Sequence, residues 1–182
     1  MPVKLNSKQL RISEPTEEEL AQIKRRELYL ILDNVLDTYN IGGIFRLADA
    51  VAAKEVILCG GSETPPSSRI HKAAVGTEKW VPWRYFANAQ SAITKLQETN
   101  PKIKIIAVEQ DERAKQIFNF QFSIFKDIPL AVVVGHETEG VSKEALDLAN
   151  VILEIPMWGV NKSLNVIIST AIAVYAILKK SN

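Results

Sequence analysis

Five short apolar runs, rich in β-branched residues, restrict the folding of this chain more than any other feature: 28–32, 56–59, 103–108, 130–134 and 151–155. Most of them lack alternation between polar and apolar residues, so strands built from them have no face to show to water. Such strands need cover on both sides, and helical patterns at 42–53, 88–99 and 142–149 lie between them, with a last helix over 164–180. This alternation is that of an α/β protein with a parallel sheet flanked by helices. At 182 residues the expectation is a single domain over 1–182, with 1–26 a short N-terminal extension. In that extension Thr16 and Glu19 form a capping-box pattern for a short helix ending near Arg26. The segment 62–83 contains Pro65, Pro66, three serines and several basic residues, and reads as an irregular excursion with one short helix.

Composition matters chiefly for what it excludes. Hydrophobic residues make up 47% and charged residues 24%, which argues against a disordered or coiled-coil chain. The most apolar stretch, 166–178, is interrupted by Ser169, Thr170 and Tyr175 and is shorter than a membrane span. With no signal-like segment near the start, the expectation is a soluble, cytoplasmic protein that does not engage a membrane. Cys59, the single cysteine, offers no internal disulfide, and no Cys/His cluster offers a metal site, so no metal is expected.

Three segments carry chemistry. In the first, Asn40-Ile-Gly-Gly-Ile-Phe-Arg46 follows a strand end, with Asn40 placed to cap a helix. Gly42 and Gly43 precede Arg46 by four and three residues, so the guanidinium stands beside bare backbone that a ligand could approach. From spacing alone, Arg46 is equally a residue that is solvated or paired with Asp49 on a plain capped helix. In the second, an apolar strand runs into Gly135-His-Glu-Thr-Glu-Gly140 and then a helix capped by Ser142. This loop is neither a Walker loop nor a dinucleotide fingerprint, and Glu137 and Glu139 would repel phosphate. They suit a ligand with hydroxyls, amines or positive charge, although a plain surface turn has the same composition. His136 reads as a structural hydrogen-bonder. In the third segment, Pro156 breaks the strand and a helix capped by Ser163 follows, with Asn165 and Ser169 sharing a face.

Taken together and in order, Asn40 to Arg46, Gly135 to Gly140, and Ile155-Pro-Met157 with Ser163-Leu-Asn165 closely resemble the three motifs of the SpoU family of RNA ribose methyltransferases, in the SPOUT superfamily. The resemblance runs from about Leu28 to the C-terminus and includes the strand end Ala107-Val-Glu-Gln110. It implies a SPOUT fold, in which the C-terminal part of the sheet is threaded into a trefoil knot. It also implies S-adenosylmethionine as cofactor and methyl transfer to a ribose 2′-hydroxyl. Carried over by position, the cofactor contacts would be Glu109, Gly135, Glu137, Gly140, Ile155, Met157, Leu164 and Asn165. The catalytic set would be Asn40, Arg46, Glu137, Ser163 and Asn165. Within that set Arg46 would hold phosphate and ribose and stabilise the developing alkoxide, while Asn40 would orient substrate and Arg46.

The resemblance implies an RNA partner, with tRNA favoured and rRNA the alternative. A relative that binds RNA without catalysis is a further reading, opposed by the presence of every motif residue. A doubly wound oxidoreductase is opposed by the absent glycine fingerprint. Net charge is only +1, so any RNA surface must be local. Arg69, Lys72, Lys79, Arg84 and Lys162, interleaved with Trp80, Trp83 and Tyr85, could supply it, and solvated loop charges around core tryptophans are an equal reading. The last helix is apolar almost all round, so one face is expected inside the chain and another, carrying Val174 and Ile177, against a second copy in a homodimer.

Overall fold

The computed structural model of the protein describes residues 14–180; residues 1–13, the first half of the proposed extension, therefore lie outside the described residues. Seven strands, β1 (Arg26–Asp33), β2 (Ala53–Cys59), β3 (Trp83–Phe86), β4 (Lys104–Val108), β5 (Lys115–Gln116), β6 (Leu130–Gly135) and β7 (Val151–Glu154), form one sheet. Its order is β3-β2-β1-β6-β4-β7-β5 and every pairing is parallel. The six α-helices of the described residues are α1 (Glu17–Ala21), α2 (Thr38–Ala50), α3 (Ser68–Ala74), α4 (Ala89–Thr99), α5 (Lys143–Leu148) and α6 (Val166–Lys180).

The apolar runs explain the layers. Successive side chains of a strand point to opposite faces, and here both faces are dry. Leu30, Leu32, Ile106, Val132 and Val134 face one core, where Ile41, Phe45, Val174 and Ile177 of α2 and α6 cover them. Ile31, Ile57, Ile105, Ala131 and Val133 face the other, closed by Ile93 and Leu96 of α4 and Ala145 and Leu146 of α5. Two strands went unread in the sequence, β3 and β5, and both are edges. An edge strand has one neighbour and need not be apolar, so Trp-Arg-Tyr-Phe and Lys-Gln pass for loop.

The helix starts differ from expectation in instructive ways. Asp37, not Asn40, caps α2, its carboxylate accepting from the Tyr39 N–H at 2.7 Å. The helix thus begins four residues early, and Asn40 is left inside its first turn, 4% exposed. Asn165, not Ser163, opens α6: its side-chain oxygen accepts from the Ile167 N–H at 3.0 Å, while Ser163 bonds to Asn161. Ser142 precedes α5 but makes no side-chain cap bond. The capping box of Thr16 and Glu19 forms as read, on a helix that ends by Ala21.

Gly42 and Gly43 do not leave backbone open to a ligand. A Cβ at Gly42 would stand 2.6 Å from the Ala73 Cβ and 2.7 Å from the Ile70 carbonyl oxygen, and one at Gly43 would stand 3.1 Å from Ile167. The pair lets α2 pack closely on α3 and α6. Val174 and Ile177 are likewise not on an outer face, being buried in the chain's own core; Ile168 and Tyr175, about half exposed, are the large apolar side chains that α6 turns outward. No helix of the described residues is long and apolar enough to cross a membrane.

Candidate functional site

In a parallel sheet the carboxyl ends of adjacent strands open a crevice where the chain leaves in different directions. Here β1 leads toward β2 and β3, while β6, beside it, leads to the β4 and β7 side. The loops that follow β1, β4, β6 and β7 enclose a cavity of about 550 Å³ at that place, within the range of small-molecule sites.

Local chemistry fixes each loop. After β6 the chain closes on itself, with the His136 N–H donating to the Gly140 carbonyl (3.0 Å) and the Gly140 N–H to the His136 carbonyl (2.9 Å). Inside this loop His136 Nδ1 accepts from the N–H groups of Thr138 and Glu139 at 3.0 and 3.1 Å, which makes the ring a turn-former. Glu109, just past β4, accepts from the Val141 N–H at 2.8 Å through Oε2 and from the Gln110 N–H through Oε1. Buried Asp33 at the end of β1 accepts from the Ser142 N–H at 2.8 Å. Gly135 and Gly140 are obligatory here. A Cβ on Gly135 would fall 2.1 Å from the Gly140 carbonyl carbon, and one on Gly140, whose φ is +74°, would fall 2.3 Å from Glu109 Oε2.

Glu137 ties this loop to α2 across the sheet. Its carboxylate accepts from the N–H groups of Leu36 (3.2 Å) and Asp37 (3.1 Å) and from Asn40 Nδ2 (3.0 Å). Partial burial works to raise its pKa, but the bonds from Asn40, from the Asp37 N–H, from its own N–H and from the Leu36 N–H outweigh this and hold it below the ordinary carboxylate range. Asn40 Oδ1 in turn accepts from Asn165 Nδ2 at 2.9 Å. The first, second and third motifs therefore meet through Asn40, Glu137 and Asn165. The loop after β7 is held by this contact and by Gln110, whose carboxamide donates to the Lys162 carbonyl.

Of the residues singled out in the sequence, Asn40, Glu109, Gly135, Glu137, Gly140, Ile155, Met157, Ser163, Leu164 and Asn165 all line this one cavity, and so does Lys162. Arg46 does not. It stands exposed on α2, without an ion pair or hydrogen bond to another described residue, and Asp49 is taken instead by Trp80 Nε1 at 2.7 Å. Of the other basic residues, Arg69 and Lys72 are exposed on α3, whereas Lys79 pairs with Glu14 and Arg84 makes a two-pronged contact with Glu55 at 2.6 Å. Sequence reading passed over Asp33 and Asp37, whose roles are to hold backbone; acids at the end of an apolar strand and before a helix were the available signals.

The cavity has a definite electrostatic character. Asp37, Glu109, Glu137 and Glu139 line it with one ammonium, Lys162. Three of these carboxylates are already engaged by backbone N–H groups, and Glu139 alone makes no side-chain bond with the described residues. Such a lining disfavours polyphosphate and favours a cationic ligand with hydroxyl or amine groups.

Comparison with known proteins gives concordant results. Residues 27–175 match the model of the SpoU rRNA Methylase family. A tRNA (guanosine(18)-2′-O)-methyltransferase of Thermus thermophilus is 30% identical over 158 residues, covering 87% of this chain and 77% of that protein. A 23S rRNA (guanosine-2′-O-)-methyltransferase of Haemophilus influenzae is 29% identical over 163 residues, covering 90% of this chain; the chain spans only 64% of that protein's length. Among solved structures, an AdoMet-bound rRNA methyltransferase from Sinorhizobium meliloti superposes with a TM-score of 0.75 at 26% identity, over 93% of this chain and 59% of that one.

Proposed function

The chain belongs to the SpoU rRNA methylase family, and from that premise we propose that it is an S-adenosylmethionine-dependent methyltransferase acting on a ribose 2′-hydroxyl of RNA. The observation that carries this reading is the single cavity in which Asn40, Glu137 and Asn165 join the three motif segments. The cofactor fits it on the residues present, because a net cationic molecule of this size matches a cavity of about 550 Å³ lined by four carboxylates. S-adenosylmethionine supplies the methyl group on a sulfonium that is its own leaving group. The chain holds it through Glu109, the Gly135 to Gly140 loop, Ile155, Met157 and Leu164, largely by backbone groups. We favour tRNA as substrate, since the Thermus thermophilus relative, which this chain covers to more than two thirds, is named for tRNA.

The remaining work is positioning and charge stabilisation. Glu137 stays ionised and fixes Asn40 and the start of α2. Asn40 and Asn165 orient groups at the cavity floor, and Ser163 presents a hydroxyl beside them. Arg46, a fixed cation with a planar fork of donors, suits a substrate phosphate and the negative charge that grows on the ribose oxygen as its proton leaves. Because Arg46 lies outside the cavity lining, the RNA has to span the surface between them. We further propose the family's trefoil knot for the part of the chain after β4. Supporting this are β6 inserted between β1 and β4, β7 inserted between β4 and β5, and the return of the β7–α6 loop to Asn40.

The deciding experiment compares an RNA substrate with the same molecule carrying 2′-deoxyribose at the methylated position. Methyl transfer is expected only to the former; equal rates would overturn ribose chemistry. We also propose a homodimer, built on the outward face of α6 with Ile168 and Tyr175. Ile168→Glu should then leave a folded monomer by light scattering at micromolar concentration. Val174→Glu, which puts a charge into the core, should lower unfolding stability by about 3–5 kcal/mol in a urea titration.

A further inference from the structure

Between β7 and α6 the chain leaves Trp158 88% exposed, the most exposed aromatic side chain among the described residues. A tryptophan can bury 150–250 Å² of surface when packed, so one held in water is a poor structural investment. The loop that carries it is not free. Its Lys162 carbonyl is taken by Gln110, its Ser163 N–H by Asn161 at 3.0 Å, and its end by the Asn165 to Asn40 bond. Met157 on one side of Trp158 and Asn161 and Lys162 on the other line the cavity, so Trp158 sits on the segment that borders it. The Lys162 ammonium has no partner among the described residues.

We propose that Trp158 is a substrate-positioning residue whose indole stacks on the base of the nucleotide entering the site, with Lys162 taking a neighbouring phosphate. The inference rests on the RNA methyltransferase reading above. A ribose at the cavity mouth carries its base and phosphates within one nucleotide's reach, so both arrive at the rim. An aromatic plane beside a cation is the combination by which proteins hold unpaired nucleotides. Stacking accepts any base, so Trp158 contributes affinity and leaves base identity to other groups. A subunit contact is the competing use of the residue, since Val160 beside it is also fully exposed although Asn161 and Lys162 are polar, and the mass of the Trp158→Ala protein separates the two.

The test uses the full chain as wild type, Trp158→Ala and Trp158→Phe, with total RNA from a strain lacking the gene as methyl acceptor. Trp158→Ala is expected to raise the apparent KM for RNA by about tenfold, the scale of one lost stacking contact. Its kcat, S-adenosylmethionine affinity by calorimetry and mass by light scattering should stay within about twofold of wild type. Trp158→Phe should restore most of the loss. The emission of Trp158, taken as wild type minus the Phe variant, should be quenched by RNA. An unchanged KM in Trp158→Ala, or a fall to half the wild-type mass, would overturn the proposal. If the wild type transfers no methyl group to RNA, the functional reading fails separately; quenching then still decides this one, and its absence overturns it.

Discussion

Gly135→Ala is expected to remove S-adenosylmethionine binding, by at least about a hundredfold, and to destabilise the fold by about 3 kcal/mol or more. The added methyl would meet the Gly140 carbonyl carbon at 2.1 Å and the Val141 nitrogen at 2.2 Å. These are backbone atoms, and each is tethered: Gly140 by its paired bonds to His136, Val141 by Glu109, and Ser142 after it by Asp33. Relief therefore requires breaking several bonds at once, and the same movement displaces the loop that forms one wall of the cavity. Gly159→Ala is the internal control, because nothing lies within 4 Å of a Cβ there, and it should match wild type in both measurements. Urea unfolding and calorimetric titration check the pair. A Gly135→Ala protein that binds the cofactor normally would mean that the loop has room the structure denies it.

Arg46→Ala should behave in the opposite manner, with turnover lowered by at least about a hundredfold while stability and cofactor affinity survive. Its side chain is exposed and supports no other described residue, so truncation leaves no buried group unpaired. The cavity lining is untouched as well. Whatever is lost must therefore be lost toward the substrate. Arg46→Lys keeps the charge but not the planar fork, and should recover only part of the rate. Near-normal kcat/KM in Arg46→Ala would remove this residue from the reaction.

How much of this was legible in the sequence follows from what each residue type is obliged to do. The five central strands could be read because burial on both faces leaves no choice but continuous apolar residues. The edge strands could not, because pairing with one neighbour imposes no such composition. The motif residues were legible as a set, and the strand ends bring their loops to one cavity. Their local roles were less so. Asp37 and Asn40 are both good caps three residues apart, and only the carboxylate of Glu137, arriving from about a hundred residues away, decides that Asn40 is needed elsewhere. Gly42 was misread for the same reason, since the helix that presses on it comes from the irregular excursion. The buried side of α6 likewise depended on which face met the sheet.

The placement of β6 between β1 and β4 has a consequence for synthesis. On one side β1 can pair with β2 soon after both leave the ribosome, but its other edge waits for Leu130 to reach Leu28. At 5–20 residues per second, roughly 5–20 s of elongation separate the two. β4, which emerges late in that interval, also has neither neighbour at first, since both β6 and β7 follow it in the chain. Largely apolar edges of β1 and β4 are thus exposed in every nascent chain, a template for pairing with the wrong partner. Expression yield should accordingly depend more on chaperone supply during translation than on the stability of the finished protein.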